Sequence, residues 1–286
     1  MADKRIQILI LIPDLDGGGA ERVVSAILKD IDRSRFEPML ALWRDIVVYP
    51  IPDDVTVRTL GKYRAWDLFK AILKTRQLIR EWMPDVIYSH LSYANFGTGL
   101  ALKSIPGKKP VWIACEHNNP YLSLILPMRV VLRFIYRLAD RVVCVSGGVR
   151  DSVKEAFRLP EEKAVTVYNP LDLPEYQPMK DEATAHAGDH AYNLVAMGRL
   201  ADQKDYPTMF RAMKLLKDKL PVKLRILGDG PDRDELQKLA AFSGGAEFLD
   251  ISERFLSEDG TYSSFGPDLN GNRVRYRDVL EVLGSA

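Results

Sequence analysis

Short apolar runs alternate with stretches of helical spacing along most of this sequence, and that alternation limits the possible folds more sharply than any single motif. Residues 6–12, 39–43, 86–89, 111–115, 142–145 and 164–168 are brief and rich in β-branched and aromatic side chains. Residues 20–31, 68–82, 94–103, 128–138 and 148–157 repeat apolar residues at helical intervals. Strand followed by helix, repeated, implies an α/β architecture with a mostly parallel sheet covered on both faces. Between residues 171 and 190 the pattern lapses around Pro174 and Pro178, which withhold backbone donors, and this stretch reads as a linker. Alternation then resumes with strands at 193–197 and 222–227, helices at 206–220 and 233–242, and a third strand at 246–251. The 286 residues suffice for two domains of about 100–200 residues each, 1–170 and 191–286. The second is expected to be partial. From about residue 245 it runs into an atypical tail with a turn-rich loop, SEDGTYSSFGPDLNGNR, and at most two helical turns at 278–283, leaving a three-stranded sheet with an exposed edge.

Composition bounds the partners. Forty basic residues against thirty-nine acidic ones leave a net charge of +1, so no overall field attracts nucleic acid and any charged ligand must be recognised locally. Cys115 and Cys144 sit in apolar stretches that read as buried strands, and nothing else in the sequence suggests a redox or zinc site, so a reducing compartment is expected. The apolar run at 6–12 is followed by acids and glycines instead of a small-residue cleavage site, and it reads as a strand of a cytoplasmic protein. Region 122–145 is the longest apolar stretch, but Arg129, Arg133, Arg137, Asp140 and Arg141 interrupt it, and it cannot span a bilayer unaided. Arg129, Arg133 and Arg137 recur every four residues along one helical face, as a solvated surface or as a peripheral contact with anionic lipid.

Chemistry concentrates where strands end. After the first strand, Asp14-Leu15-Asp16-Gly17-Gly18-Gly19 opens a helix; three glycines permit close backbone approach, and the helix start offers unpaired N–H groups to an anionic or polar ligand. Its spacing is not that of a dinucleotide fingerprint, so a nicotinamide enzyme is not indicated. Asp14 and Asp16 could hold a divalent ion, but carboxylates just before a helix more often serve as caps and dipole partners, and no metal is expected there. Glu116, His117 and Asn118 follow a buried strand, where His117 could donate a hydrogen bond or shuttle a proton with Glu116 tuning it, or be merely structural. His90 occupies a similar strand end. Ser146 precedes two glycines, and its hydroxyl either touches ligand or caps the next helix.

In the second half, Gly198, Arg199 and Lys204 follow a strand and precede a helix, placing two cations five residues apart beside a glycine, a pattern suited to a diphosphate. Gly228, Asp229, Gly230 and Pro231 close the next strand, and those glycines would admit a base or ribose.

The order of motifs, GGGAERV, CEHN, ADRVVCVSGGVRDSV, VTVYNPLD, MGRLADQKDYPTMFRAM and LGDGPDRDELQKLA, resembles the retaining glycosyltransferases of family 4 over residues 6 to about 241. The resemblance implies the GT-B architecture, two Rossmann-like domains with parallel sheets facing across a cleft. It further implies transfer of a hexosyl unit from a nucleotide-diphosphate sugar to a cell-envelope glycan or lipid-linked acceptor, without cofactor or metal. By the same likeness, Arg199 and Lys204 bind the diphosphate, with Gly198, Gly228, Asp229 and Gly230 near the nucleotide. His117 lies near the transferred sugar, and Gly17, Gly18, Gly19, Glu116, Asn118 and Ser146 face the acceptor side. One departure stands out. The family's glutamate pair, spaced Glu-x₇-Glu within a segment like EGFPNVLLEAMACG, is absent from this sequence. A non-catalytic sugar-nucleotide or acceptor-binding protein, a partner subunit, and a GT-B epimerase are therefore the alternatives.

Overall fold

The first strand, β1 (Ile6–Ile12), has its last five residues buried and serves as the centre of a sheet. In the computed structural model, residues 4–61, 67–170, 192–216, 219, 221–243 and 246–249 are described. The expected linker at 171–190 and the tail from residue 250, with its helical turns at 278–283, lie outside them. By contacts the chain divides into two units, residues 1–173 and 174–286.

In the first unit, β1 pairs in parallel with β2 (Phe36–Leu42) on one side and β4 (Val86–His90) on the other. β3 (Thr56–Thr59) extends the sheet beyond β2, and β5 (Val111–Glu116), β6 (Arg141–Cys144) and β7 (Ala164–Thr166) continue it beyond β4. The result is a seven-stranded parallel sheet in the order 3-2-1-4-5-6-7, in which the direction of winding reverses between β1 and β4. Alternate residues divide between two cores. Leu9, Leu11, Ala41, Ile87, Trp112, Ala114 and Val142 pack under α2 (Leu68–Trp82), α3 (Ser92–Lys103), α5 (Leu126–Ile135) and α6 (Gly147–Phe157). Ile8, Ile10, Ile12, Leu40 and Leu42 pack against Ala20, Val24 and Leu28 of α1 (Gly19–Asp30) on the opposite face.

One strand and one α-helix were not anticipated from the sequence. β3 has four exposed residues and no apolar alternation, so only its ladder with β2 marks it as a strand. The four-residue α4 (Pro120–Ser123) starts at Asn119, whose Oδ1 accepts from the Tyr121 N–H at 2.9 Å. β2 also begins three residues earlier than its apolar pattern. Pro38 lies outside the residues that β3 pairs, so its missing N–H leaves no rung of that ladder open. α5 stops at Ile135, which places Arg129 and Arg133 on the helix and Arg137 in the turn after it.

The second unit repeats the strand-helix pattern with β8 (Tyr192–Met197), α7 (Tyr206–Leu216), β9 (Val222–Leu227), α8 (Arg233–Ser243) and β10 (Ala246–Leu249). Its described sheet is parallel, in the order 10-9-8. Leu200, Tyr206, Phe210, Met213, Leu224, Ile226, Leu236 and Ala240 form its core. Among the described residues β8 is an edge, and Leu194, Val195 and Met197 on it are exposed.

Candidate active site

The carboxyl ends of β1, β4 and β5 lie at the reversal of winding, where open α/β sheets hold their ligands. After β1 the chain turns through Gly17, whose φ of +75° lies in the left-handed region that glycine adopts without strain. The Tyr49 hydroxyl donates to the Gly17 carbonyl at 3.1 Å and fixes the turn. Gly18 caps α1 without a side chain, and the Glu21 carboxylate folds over it, so near that a Cβ on Gly18 would lie 2.3 Å from its Oε2. Burial raises the Glu21 pKa, opposed by its own backbone N–H. This corner therefore already carries a carboxylate and suits a hydroxyl donor better than a second anion. Gly19 faces open space. Asp14 is buried, accepting from Arg44 Nε at 2.8 Å and from the Asp16 N–H at 3.2 Å. Its carboxylate is engaged in holding the β1 turn.

At the ends of β4 and β5, His90 and Cys115 are paired across the strands, and His117 lies two residues beyond Cys115 on the same side. His90 Nδ1 stands 3.1 Å from His117 Nε2, and Cys115 Sγ is 3.4 Å from that same nitrogen. Burial lowers the His117 pKa to about 4 and holds His90 well below the usual imidazole range, so both rings are neutral at pH 7. A neutral His117, half-buried with one nitrogen directed at the cluster, can exchange hydrogen bonds with a sugar hydroxyl without adding charge. Between β4 and α3, Leu91 adopts φ 72° and ψ 144°, a conformation that costs a non-glycine residue about 1–3 kcal/mol. Its N–H donates to the Cys115 carbonyl at 3.1 Å, which ties the strained residue to this edge.

Glu116 points the other way, beneath α3. Its carboxylate accepts from Ser92 Oγ at 2.9 Å, from Asn95 Nδ2 at 3.1 Å and from the Tyr136 hydroxyl. Asn95 Oδ1 accepts from Ser89 Oγ at 2.7 Å, and Ser89 Oγ from Trp112 Nε1 at 2.8 Å. Burial pushes the Glu116 pKa up to about 7 against those hydrogen bonds. Glu116 thus braces the sheet against α3, on the opposite side of β5 from His117. Ser146 caps α6, its Oγ accepting from the Val149 N–H at 3.2 Å. Asn118 is exposed. The single sequence shows none of the cross-strand pairing that adds Cys115 and His90 to His117; only the register does.

In the second unit the loops after β8 and β9 are joined backbone to backbone. Gly198 N–H donates to Leu227 O at 3.0 Å, Leu200 N–H to Asp229 O at 2.8 Å, and Asp232 N–H to Leu200 O at 3.1 Å. A Cβ on Gly228 would lie 2.0 Å from the Gly198 carbonyl oxygen, and one on Gly230 would lie 2.1 Å from that of Leu200. The close approach these glycines allow is thus between the two loops. Asp229 Oδ1 accepts from the Gly230 N–H at 2.8 Å. The Tyr206 hydroxyl donates to the Gly198 carbonyl at 3.1 Å, and Lys204 lies over Gly198. Arg199 and Lys204 are exposed, and neither forms an ion pair among the described residues.

Around α5, Leu122, Ile125, Leu126, Val130 and Phe134 are exposed, and among the described residues Arg129, Arg133 and Arg137 form no ion pair. Arg129 stacks on Tyr121 at 4.7 Å and Arg137 on Phe134 at 5.4 Å. Desolvation and the neighbouring Arg158 and Arg137 lower the Arg133 pKa. No described helix is long and apolar enough to cross a membrane.

Known proteins resemble this chain in sequence and in fold. A Campylobacter jejuni protein named N-acetylgalactosamine-N,N'-diacetylbacillosaminyl-diphospho-undecaprenol 4-alpha-N-acetylgalactosaminyltransferase is 28% identical over 244 residues, covering 80% of this chain and 64% of its own length. An uncharacterized glycosyltransferase of Methanocaldococcus jannaschii is 25% identical over 186 residues, covering 60% of this chain and 46% of its own length. The chain thus spans less than two thirds of either relative. The crystal structure of Anabaena HepE in complex with UDP and glucose matches 86% of this chain and 69% of its own, with a TM-score of 0.64 at 18% identity, which shows the GT-B fold. The family model for Glycosyltransferase Family 4 matches residues 17–175, more than half of the 286 residues, and the chain belongs to that family.

Proposed function

We propose that this chain transfers a hexosyl unit from a nucleotide-diphosphate sugar to a cell-envelope glycan or lipid-linked acceptor, with retention of configuration and without a metal cofactor. The observation that carries this reading is the presentation of Arg199 and Lys204: exposed, without ionic partners among the described residues, on a loop locked by Gly228 and Gly230. Fixed cations neutralise the departing diphosphate without reorganising at the moment of reaction, and that lowers the barrier most where charge develops. In the transfer, the bond from the anomeric carbon to the diphosphate oxygen breaks, the acceptor oxygen takes its place, and the proton of the acceptor hydroxyl passes to the departing nucleoside diphosphate. His117, neutral at pH 7, hydrogen-bonds the transferred sugar, and the Gly17–Gly19 corner with Glu21 receives hydroxyls.

Two likenesses support this reading. The name of the Campylobacter relative specifies a diphospho-undecaprenol-linked substrate, and the Anabaena structure contains UDP and glucose. A lipid-linked acceptor would also give purpose to the exposed apolar residues around α5 and to its arginines, which form no ion pair among the described residues and suit peripheral contact with an anionic cytoplasmic membrane face.

The second reading is donor binding without turnover. The experiment incubates the purified chain with a panel of nucleotide sugars and an undecaprenyl-diphosphate-linked acceptor and measures nucleoside diphosphate released. Acceptor-dependent release that vanishes in Arg199→Ala and Lys204→Ala supports transfer. Binding heat with no release supports the second reading.

A further inference from the structure

The cluster at the ends of β4 and β5 has a composition that sugar transfer does not require. The ligating atoms His90 Nδ1, Cys115 Sγ and His117 Nε2 all lie within 4.8 Å of one another, and no other group of three potential ligands converges so among the described residues. His90 and Cys115 are fixed by strand register, and both are buried; His117 is the partly exposed member, through which an ion gains access. A tetrahedral ion with metal–nitrogen bonds of ~2.0–2.1 Å and a metal–sulfur bond of ~2.3 Å sets its ligand nitrogens ~3.3 Å apart and nitrogen from sulfur ~3.6 Å. The observed separations of 3.1 and 3.4 Å are each within a few tenths of an ångström of those values. The third separation, between His90 and Cys115, is at most 4.8 Å, and side-chain rotation can close it without moving the strands.

We propose that His90, Cys115 and His117 form a binding site for one borderline, thiophilic divalent ion, of which Zn²⁺ is the type, with the fourth coordination position open beside His117. Two imidazoles and a thiolate select such an ion over Mg²⁺ or Mn²⁺, which prefer oxygen, and the neighbouring Glu116 carboxylate is directed to the other face of the sheet. On binding, the Cys115 thiol releases its proton to solvent and its sulfur supplies an electron pair to the ion, while both rings bind neutral. His90 then carries its proton on Nε2, an atom with no hydrogen-bond partner among the described residues, so no existing bond opposes that tautomer. One consequence rests on the proposed function: an ion on His117 Nε2 fixes the ring proton on Nδ1, so His117 can no longer accept a hydrogen bond from the sugar, and Zn²⁺ inhibits transfer instead of assisting it.

The test is titration of the reduced full chain with Co²⁺, followed by displacement with Zn²⁺. Expected are a thiolate-to-cobalt charge-transfer band saturating at one ion per chain, its loss on Zn²⁺ addition, its absence in Cys115→Ser and its retention in Cys144→Ser. Should Cys115→Ser fold poorly, alkylation of the native chain decides: Zn²⁺ should slow modification of Cys115 and leave that of Cys144 unchanged. No band in the native chain, a band surviving in Cys115→Ser, or equal protection of both cysteines overturns the site. Intact binding with uninhibited transfer leaves the site standing and refutes the placement of His117 at the sugar.

Discussion

The carbonyl oxygen of Leu200 stands 2.1 Å from where a Cβ on Gly230 would fall. A backbone atom cannot swing aside as a side-chain tip can, so Gly230→Ala must part the two loops of the second unit and break the Leu200–Asp229 and Asp232–Leu200 hydrogen bonds. The expected cost is about 1–3 kcal/mol, read from chemical denaturation, with a similar loss for Gly228→Ala. Gly19→Ala, at the first residue of α1 with nothing within 4 Å of its added Cβ, is expected to be neutral or slightly stabilising.

In the proposed function Arg199 and Lys204 contribute charge to the donor diphosphate, and no ion pair among the described residues depends on them. Replacing either with Ala is expected to lower kcat/KM by about 10²-fold, the usual effect of removing one preorganised donor, while leaving the melting temperature unchanged. Steady-state kinetics beside thermal melts check the pair of outcomes together.

Glu116 gives stability a pH dependence of known sign. Its pKa rises from the ordinary 4.5 to about 7 on folding, so the folded state holds the proton more tightly than the unfolded state. Stability therefore declines as pH climbs from about 4.5 through about 7, and the cost, on the order of a few kcal/mol, is fully present above that. Glu116→Gln cannot ionise, so its denaturation free energy should lose this slope between pH 5 and pH 8, whatever its absolute stability.

The apolar and basic surface around α5 predicts association with anionic vesicles. Changing Arg129, Arg133 and Arg137 to Gln together removes about 1 kcal/mol each near a negative surface, which amounts to roughly 10²-fold in partitioning. Vesicle flotation should show that loss. Leu122→Ser with Ile125→Ser should weaken binding at high salt as well, because apolar insertion is not screened.

The alternation of short apolar runs with helical spacing carried the sheet and most helices, because strands buried on both faces and helices with one apolar stripe leave a periodic record. β3 left none: Thr56–Thr59 is exposed throughout and is a strand only by its ladder with β2. The candidate site was legible in its parts but not in its assembly. The sequence placed His117, Glu116 and Asn118 together at a strand end, yet strand alternation turns Glu116 into a buried network with Ser92, Asn95 and Tyr136, while register brings His90 and Cys115 to His117. Likewise the glycines at 228 and 230 were visible as an allowance for close approach, but only the fold shows Gly198 and Leu200 as the backbone that approaches them.

Calorimetric titration of the full chain with a panel of nucleoside-diphosphate sugars, beside the Arg199→Ala/Lys204→Ala double variant, measures the donor site itself. The expected result is saturable heat for at least one donor in the micromolar to millimolar range usual for enzyme substrates, abolished in the double variant while its fold is retained. Heat that persists undiminished in the double variant, or no heat with any donor, would contradict a diphosphate site at these two cations.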